Sequence, residues 1–282
     1  MELDAFITEA IREDIGDGDH TTSACIPEDA KGRMYMLIKE PGVIAGMDVA
    51  RHVFHRFDAN IIVHPELKDG AHVVYGDIPM RVEGPVHALL KAERLVLNIA
   101  QRMSGIATKT AEMNELIQGT EARLLDTRKT TPNFRWFEKE AVRIGGGVNH
   151  RMGLYDAMMI KDNHIDFAGG IAAAIQRCNS YQKEHDLDLD VIVEARDMSE
   201  VSEILENQEG VRRVLLDNFS PDQTKEAVDF IGDRLETESS GGISEVNVRD
   251  YALCGVNFIS IGALTHRFRS MDISLKADFD VG

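Results

Sequence analysis

In its second half the chain alternates short apolar runs with longer stretches whose apolar residues return every three or four positions. The runs are "RLLDTRK" (Arg123–Lys129), "AMMIKDN" (Ala157–Asn163), "LDVIVEA" (Leu189–Ala195), "VRRVLLDN" (Val211–Asn218), "RLETESSGG" (Arg234–Gly242) and "VNFISIGA" (Val256–Ala263). Each ends in charged or small residues, and each predicts a strand. The stretches between them predict helices. In "SPDQTKEAVDFIG", Ser220 is the N-cap, Pro221 takes the first helical position and Gly232 follows the end. In "ISEVNVRDYALCG", Ser244 is the expected cap and Gly255 the end. The last four strands recur about every 22 residues, the length of one strand–helix unit. This pattern predicts a parallel, barrel-like array with its chemistry at the C-terminal strand ends. Six strands rather than eight predict an incomplete barrel.

The first part reads differently. Short β-like segments ("GRMYMLIKE", "NIIVHPEL", "AHVVYG", "IPMRVEGPV") are separated by the turn signals "PG", "DG" and "GP". The stretch from Ala88 to Gly119 then predicts one long helix, or two broken at Gly105. The fold class is therefore α/β, with an N-terminal α+β domain over 1–115 and a barrel domain over 116–269. Residues 270–282 are expected to complete the first domain.

Composition narrows the partners. The net charge is −17 and the pI about 5.0, which disfavours nucleic acid and anionic membrane surfaces. No apolar run approaches the ~18 residues of a membrane span. The start, "MELDAFITEAIRED", is acidic and helical in pattern and does not read as a signal peptide. Cys25, Cys178 and Cys254 are scattered, match no zinc spacing and suggest a reducing, cytoplasmic setting. The charge is uneven. Between Asp126 and His164 seven Arg and Lys face five acids, a local +2 against −19 elsewhere. A basic pocket in an acidic envelope suits a small polyanion.

The strand ends identify what such a pocket would hold. They carry Arg128-Lys129, then Lys161-Asp162-Asn163-His164, Glu194, Asp217-Asn218, Ser239-Ser240-Gly241-Gly242 and Gly262-Ala263. Cations suit carboxylates, for which arginine offers a two-pronged fork. Glu194 and Asp217 suit a hard cation such as Mg²⁺. Ser/Gly loops after the late strands suit a phosphate monoester. His150 and His164 read as hydrogen-bonding residues, because no third nitrogen or sulfur ligand accompanies them. "GGG" at Gly145–Gly147 does not fit a dinucleotide fingerprint, and the twelve methionines read as core filler. A rival use of a lysine that ends an apolar strand, as Lys161 does, is Schiff-base chemistry.

Several motifs together resemble the quinolinate phosphoribosyltransferase family across nearly the whole chain. They are "EDIGDGDHTT" (Glu13–Thr22), "AERLVLNIAQRMSGIAT" (Ala92–Thr108), "LLDTRKTTPNFR" (Leu124–Arg135), "GGGVNHRMGLYDAMMIKDNH" (Gly145–His164), "LLDNFSP" (Leu215–Pro221), "ESSGGI" (Glu238–Ile243) and "GVNFISIGALTH" (Gly255–His266). The resemblance implies an N-terminal open-faced α/β sandwich, an incomplete α/β barrel, and a homodimer, or a higher oligomer built from it, whose sites lie between subunits. It implies that quinolinate and phosphoribosyl pyrophosphate (PRPP) give nicotinate mononucleotide, pyrophosphate and CO₂, with Mg²⁺ brought by PRPP and no organic cofactor.

Carried over by motif, the resemblance assigns quinolinate binding to Arg128, His150, Arg151 and Lys161, with Arg94 lent by the neighbouring subunit. It assigns PRPP and its metal to Lys129, Glu194 and Asp217, and phosphate to Ser239, Ser240, Gly241 and Gly262. Lys129, Lys161, Glu194 and Asp217 form the expected catalytic set. Two departures stand out. Where the family often has "PGLR", this chain has Pro132-Asn133-Phe134-Arg135, and where it often has "EVEVE", Ile192, Glu194 and Arg196 stand. Arg135, His164 and the segment "EDIGDGDHTT" receive no assigned role.

Overall fold

The structure is a computed structural model that describes residues 3–278. Met1, Glu2 and residues 279–282 of the expected completing tail lie outside the described residues. The strands are β1 (Lys31–Ile38), β2 (Gly42–Val43), β3 (Ile62–Pro65), β4 (His72–Val73), β5 (Met80–Pro85), β6 (Arg123–Leu125), β7 (Met158–Ile160), β8 (Val191–Ala195), β9 (Val211–Asp217), β10 (Glu236–Ser240), β11 (Phe258–Ser260) and β12 (Ile273–Ala277). The chain divides into two units. The first comprises the chain up to Ala111, Thr130–Gly146 and the chain from Arg267; the second comprises Glu112–Lys129 and Gly147–His266.

The first unit is built on a four-stranded sheet in the order β12-β1-β5-β3, antiparallel throughout. In β1 the period-two pattern buries Met34, Met36 and Ile38 on one face. The other face carries cross-strand pairs: Arg33 bonds Glu83 at 3.0 Å, and Arg81 stands over the Tyr35 ring. Such half-exposed ion pairs add little stability; they keep the open face polar. The helix Val86–Leu116 buries Leu89, Ala92, Val96, Ile99, Met103 and Ile106 at helical spacing. Ser104 accepts the Ala45 N–H and Thr108 accepts the Val43 N–H, so the helix is stitched to the β2 strip.

Gly105 does not break that helix, contrary to the reading from sequence. A Cβ there would stand 2.2 Å from the carbonyl oxygen of Arg269. The glycine permits a close backbone crossing, which sequence cannot distinguish from a break. The segment Thr130–Gly146 also departs from the sequence-drawn boundary at 115, because its contacts lie in the first unit. Phe134 stacks on Phe137 at 4.5 Å and Phe6 packs on Phe137 at 4.6 Å. Buried Glu138 accepts Arg102 Nη2 at 2.6 Å and the Thr131 N–H at 3.2 Å. Asn133, at the glycine of "PGLR", takes φ 63°. Asn tolerates this left-handed region better than most residues, which accounts for that departure.

The second unit is a six-stranded sheet in the order β6-β11-β10-β9-β8-β7, and every pair is parallel. Sequential strands are neighbours, while the first pairs with the last, as in a barrel left open between β6 and β7. The other edge of β6 carries a bridge from Leu125 to Val148. Val191, Val193, Ala195, Val214 and Leu216 form one pleat face and pack with Ile175, Ile204 and Ala227 of the surrounding helices. The alternate residues, Ile192, Glu194, Arg213, Leu215, Asp217, Glu236, Glu238 and Ser240, form the inner face. Ser220 and Gln223 make a reciprocal capping box before Pro221–Ile231, as the sequence predicts. Ser244 does not cap: its N–H bonds Asn247 Oδ1 in a turn, and the helix starts at Val248.

Candidate active site

All the predicted site residues except Arg94 lie in the second unit, on or just beyond the C-terminal ends of its parallel strands. Arg94 is an exposed side chain on the helix Val86–Leu116 in the first unit.

The cationic side begins at β6. Asp126, fully buried at its end, accepts the His150 N–H at 2.8 Å and the Asn149 side-chain amide at 2.5 Å. That carboxylate pins the loop that presents His150 and Arg151. The His150 ring accepts the Arg151 N–H at Nδ1, 2.6 Å, while Arg151 Nη1 donates to the Ala157 carbonyl at 3.2 Å. Asp156 is engaged by the turn itself, accepting the Met152 and Gly153 N–H groups at 2.6 and 2.8 Å. Burial, and then the charge of Arg128, push the Arg151 guanidinium below its ordinary pKa, with Asp156 opposing. Two arginines that repel each other in a partly desolvated setting form a site that an anion relieves.

The acidic side lies on β8 and β9. Glu194 is nearly buried, and its Oε2 accepts Lys161 Nζ at 2.8 Å. Lys161 Nζ is thus engaged by the Glu194 carboxylate. His164 Nδ1 accepts the Lys161 N–H at 3.0 Å, which gives His164 a local positioning role. Burial, then the charge of Glu194, raise the Asp217 carboxyl above its ordinary pKa, with Lys161 and Asn218 opposing. A carboxyl held above its ordinary pKa by burial and a neighbouring carboxylate invites a positive partner.

The late loops are shaped by glycine. Asn218 has φ 58° and donates its N–H to the Ser240 carbonyl at 2.8 Å. A Cβ on Gly241 would stand 2.2 Å from Asn218 Oδ1, so only glycine lets these strand ends close together. A Cβ on Gly262 would meet the Lys129 stem at 2.9 Å and His266 Nε2 at 3.1 Å. One sequence assignment needs correction. Ser239 pairs in register with Leu216, on the helix-facing side, whereas Ser240 pairs with Asp217 on the inner face. The Ser239 hydroxyl is therefore on the wrong pleat face to share a ligand with Asp217. Ser240 remains on the right one.

Sequence reasoning passed over Asp126, His266 and Glu238. Asp126 opens "DTRKTTP" and His266 closes "GVNFISIGALTH", so motif membership was the available signal. Glu238 alternates with Glu236 in a strand that should be apolar on both faces. The segment "EDIGDGDHTT" has a structural use: Asp19 caps the helix His20–Cys25 by accepting the Thr22 N–H at 2.9 Å. Among the described residues, no cluster of three or more His, Cys, Asp or Glu could hold a metal by itself, and no helix is long and apolar enough to cross a membrane.

Comparison with known proteins places this geometry. Residues 19–104 match the family described as "Quinolinate phosphoribosyl transferase, N-terminal domain", and residues 106–276 match the corresponding C-terminal domain. The chain is 44% identical to a protein of Arabidopsis thaliana named "Nicotinate-nucleotide pyrophosphorylase [carboxylating], chloroplastic", over 99% of the chain and 84% of the relative. It is 36% identical to the Bacillus subtilis "Probable nicotinate-nucleotide pyrophosphorylase [carboxylating]", over 98% and 93%. A crystal structure of nicotinate-nucleotide pyrophosphorylase from Ehrlichia chaffeensis superposes with a TM-score of 0.91 at 35% identity, covering 99% of each chain.

Proposed function

The chain belongs to the quinolinate phosphoribosyltransferase family, and from that premise we propose how its residues divide the reaction among them. It is a pentosyltransferase of NAD biosynthesis that converts quinolinate and PRPP to nicotinate mononucleotide, pyrophosphate and CO₂. The observation that best supports the division is geometric: Lys161 Nζ meets Glu194 Oε2 at 2.8 Å at the strand ends, while buried Asp126 holds the loop that presents His150 and Arg151.

Arg128, Arg151 and Lys161 receive the two quinolinate carboxylates, with Arg94 contributed by a second subunit of a homodimer. His150 holds Arg151 in place. Ser240, Gly241 and Gly262 line the phosphate end, and Lys129 meets the charge that builds on the leaving pyrophosphate. The ring-nitrogen lone pair forms the bond to the ribose anomeric carbon as the bond to pyrophosphate oxygen breaks. Glu194 and Asp217 face the positive charge that develops on the sugar. The 2-carboxylate then leaves as CO₂, and its bonding pair stays on the ring carbon beside the quaternary nitrogen until a proton is taken up. Arginine forks orient that carboxylate, and exclusion of water protects the charge-separated species.

The carboxylates suit Mg²⁺ in one respect. Asp217, disfavoured as an anion beside Glu194, offers hard oxygen that a cation would relieve. Two carboxylates do not complete a coordination shell, so the metal would be held by Glu194 and Asp217 together with PRPP oxygens. When bound, it would supply neutralisation of pyrophosphate charge. Three free cysteines support a cytoplasmic location for this chain.

The test is a paired assay for pyrophosphate and CO₂ with quinolinate or nicotinate as the acceptor, with and without Mg²⁺. Turnover of quinolinate alone, and only with the divalent ion, is expected. Comparable use of nicotinate would overturn the carboxylate assignment, and full activity in excess chelator would overturn the metal assignment.

A further inference from the structure

The motif Glu238–Ile243 contains a residue that the reaction leaves without a task. Glu238 sits in the middle of β10 with no exposed surface, in register with Leu215 and Phe258 on the inner face. An unpaired carboxylate there would be strongly unfavourable. Its Oε2 accepts Arg213 Nη1 at 2.9 Å, and His150 Nε2 lies 3.4 Å from the same oxygen. Arg213 is itself fixed: it bonds Glu236 Oε2 at 3.1 Å, and its guanidinium lies 3.9 Å from the Phe258 ring centre. Burial alone would raise the Glu238 pKa, but His150 and then Arg213 and Ser260 outweigh it and hold the carboxyl below its ordinary value.

The other side of the imidazole settles its state. Nδ1 accepts the Arg151 N–H at 2.6 Å. An accepting nitrogen carries no proton, which leaves the ring proton to Nε2; that nitrogen is buried without a hydrogen bond of ordinary geometry, and the group it faces, at 3.4 Å, is Glu238 Oε2. The side chain of His150 is 6% exposed and spans the gap between a buried carboxylate and the main chain of Arg151.

We propose that Glu238, anchored by Arg213, is a positioning residue of the quinolinate pocket: it fixes the tautomer and orientation of His150, and through that ring the backbone from which Arg151 reaches its carboxylate. The inference rests on the reading of Arg151 as a quinolinate ligand. It goes beyond that reading by assigning the buried ion pair beneath the site to binding and not to scaffold stability alone.

The experiment has two arms. Long-range proton–nitrogen correlation on imidazole-¹⁵N-labelled full-length protein reads the tautomer directly, with His150 assigned by its loss in His150→Gln. The neutral Nε2-protonated form is expected in the wild type. In Glu238→Gln the amide offers a donor as well as an acceptor, so His150 should lose its single tautomer. Calorimetry on the same variant should show quinolinate binding weakened about 10- to 100-fold, as when residues that orient a ligating histidine are replaced, with PRPP affinity within about twofold. Glu238→Asp retains the charge and should keep the tautomer with a smaller loss of affinity; it decides the matter if Glu238→Gln does not fold. An Nδ1-protonated ring in the wild type would overturn the proposal. So would unchanged quinolinate affinity in Glu238→Gln, or parallel loss of both substrates with a lowered melting temperature. Failure of the wild type to bind quinolinate would instead strike the reading of the pocket beneath it.

Discussion

Lys161 Nζ, just beyond the end of β7, and Glu194 Oε2, on the neighbouring parallel strand β8, stand 2.8 Å apart, joining a residue assigned to quinolinate to one assigned to PRPP. On the proposed assignment, quinolinate competes with Glu194 for the charge of the ammonium group. Glu194→Gln removes the competing charge and leaves Lys161 to the ligand. Binding of quinolinate alone should tighten about two- to fivefold, the scale of a half-exposed pair. Turnover should fall by about 100-fold or more as the developing sugar cation loses its partner. Calorimetry beside steady-state kinetics checks both, and weaker quinolinate binding in the variant would contradict the competition.

Arg151 tests the fork geometry at one residue. Arg151→Lys keeps the charge but loses the planar donor pair, so it should be nearly as damaging as Arg151→Ala. Truncating a hydrogen-bonded charge partner costs on the order of 2–5 kcal/mol, roughly 30- to several thousand-fold in affinity. Because Asp156 keeps the Met152 and Gly153 N–H groups as partners when the guanidinium is changed, melting temperatures should change little. A lowered melting temperature with unchanged quinolinate binding would remove Arg151 from the pocket.

Arg94 tests the second subunit. If it completes a neighbour's site, the inactive variants Arg94→Ala and Arg151→Ala should regain activity when mixed, because one site of each mixed dimer then holds both intact residues. Differently tagged chains report subunit exchange independently. Exchange without recovered activity would mean that Arg94 serves its own chain or lies outside the site.

Glu238 makes a prediction about acid. Its carboxyl is held below its ordinary pKa in the folded protein. A depressed folded-state pKa contributes stability that is fully present above the unfolded value, about 4.3, and is lost as pH falls through the folded value. Between about pH 5 and pH 3 the melting temperature of the wild type should therefore fall more steeply than that of Glu238→Gln. Parallel curves would show that the pairing with Arg213 and His150 carries no net linkage.

The sequence by itself determined the array and the family. Six apolar runs became six parallel strands, because period and spacing are local properties that survive folding unchanged. Their charged ends lie at one end of the sheet, because a parallel barrel gathers its C-terminal strand ends whatever else it does. Motif order assigned Arg128, Arg151, Lys161, Glu194 and Asp217 to neighbouring strand ends and loops.

Only the tertiary structure decided the matters that depend on register and on contacts between distant residues. A one-residue alternation within β10 separates Ser239, on the helix side, from Ser240 on the inner face, and no motif prints that parity. Gly105 serves a backbone crossing by Arg269, 164 positions away, which a local helix pattern cannot contain. The segment Thr130–Gly146 clusters with the first unit because Phe6 and Arg102 supply its partners. Glu238 meets His150 across 88 positions of chain. A buried charge is tolerated only where folding brings its partners, so its meaning could be read only from the fold.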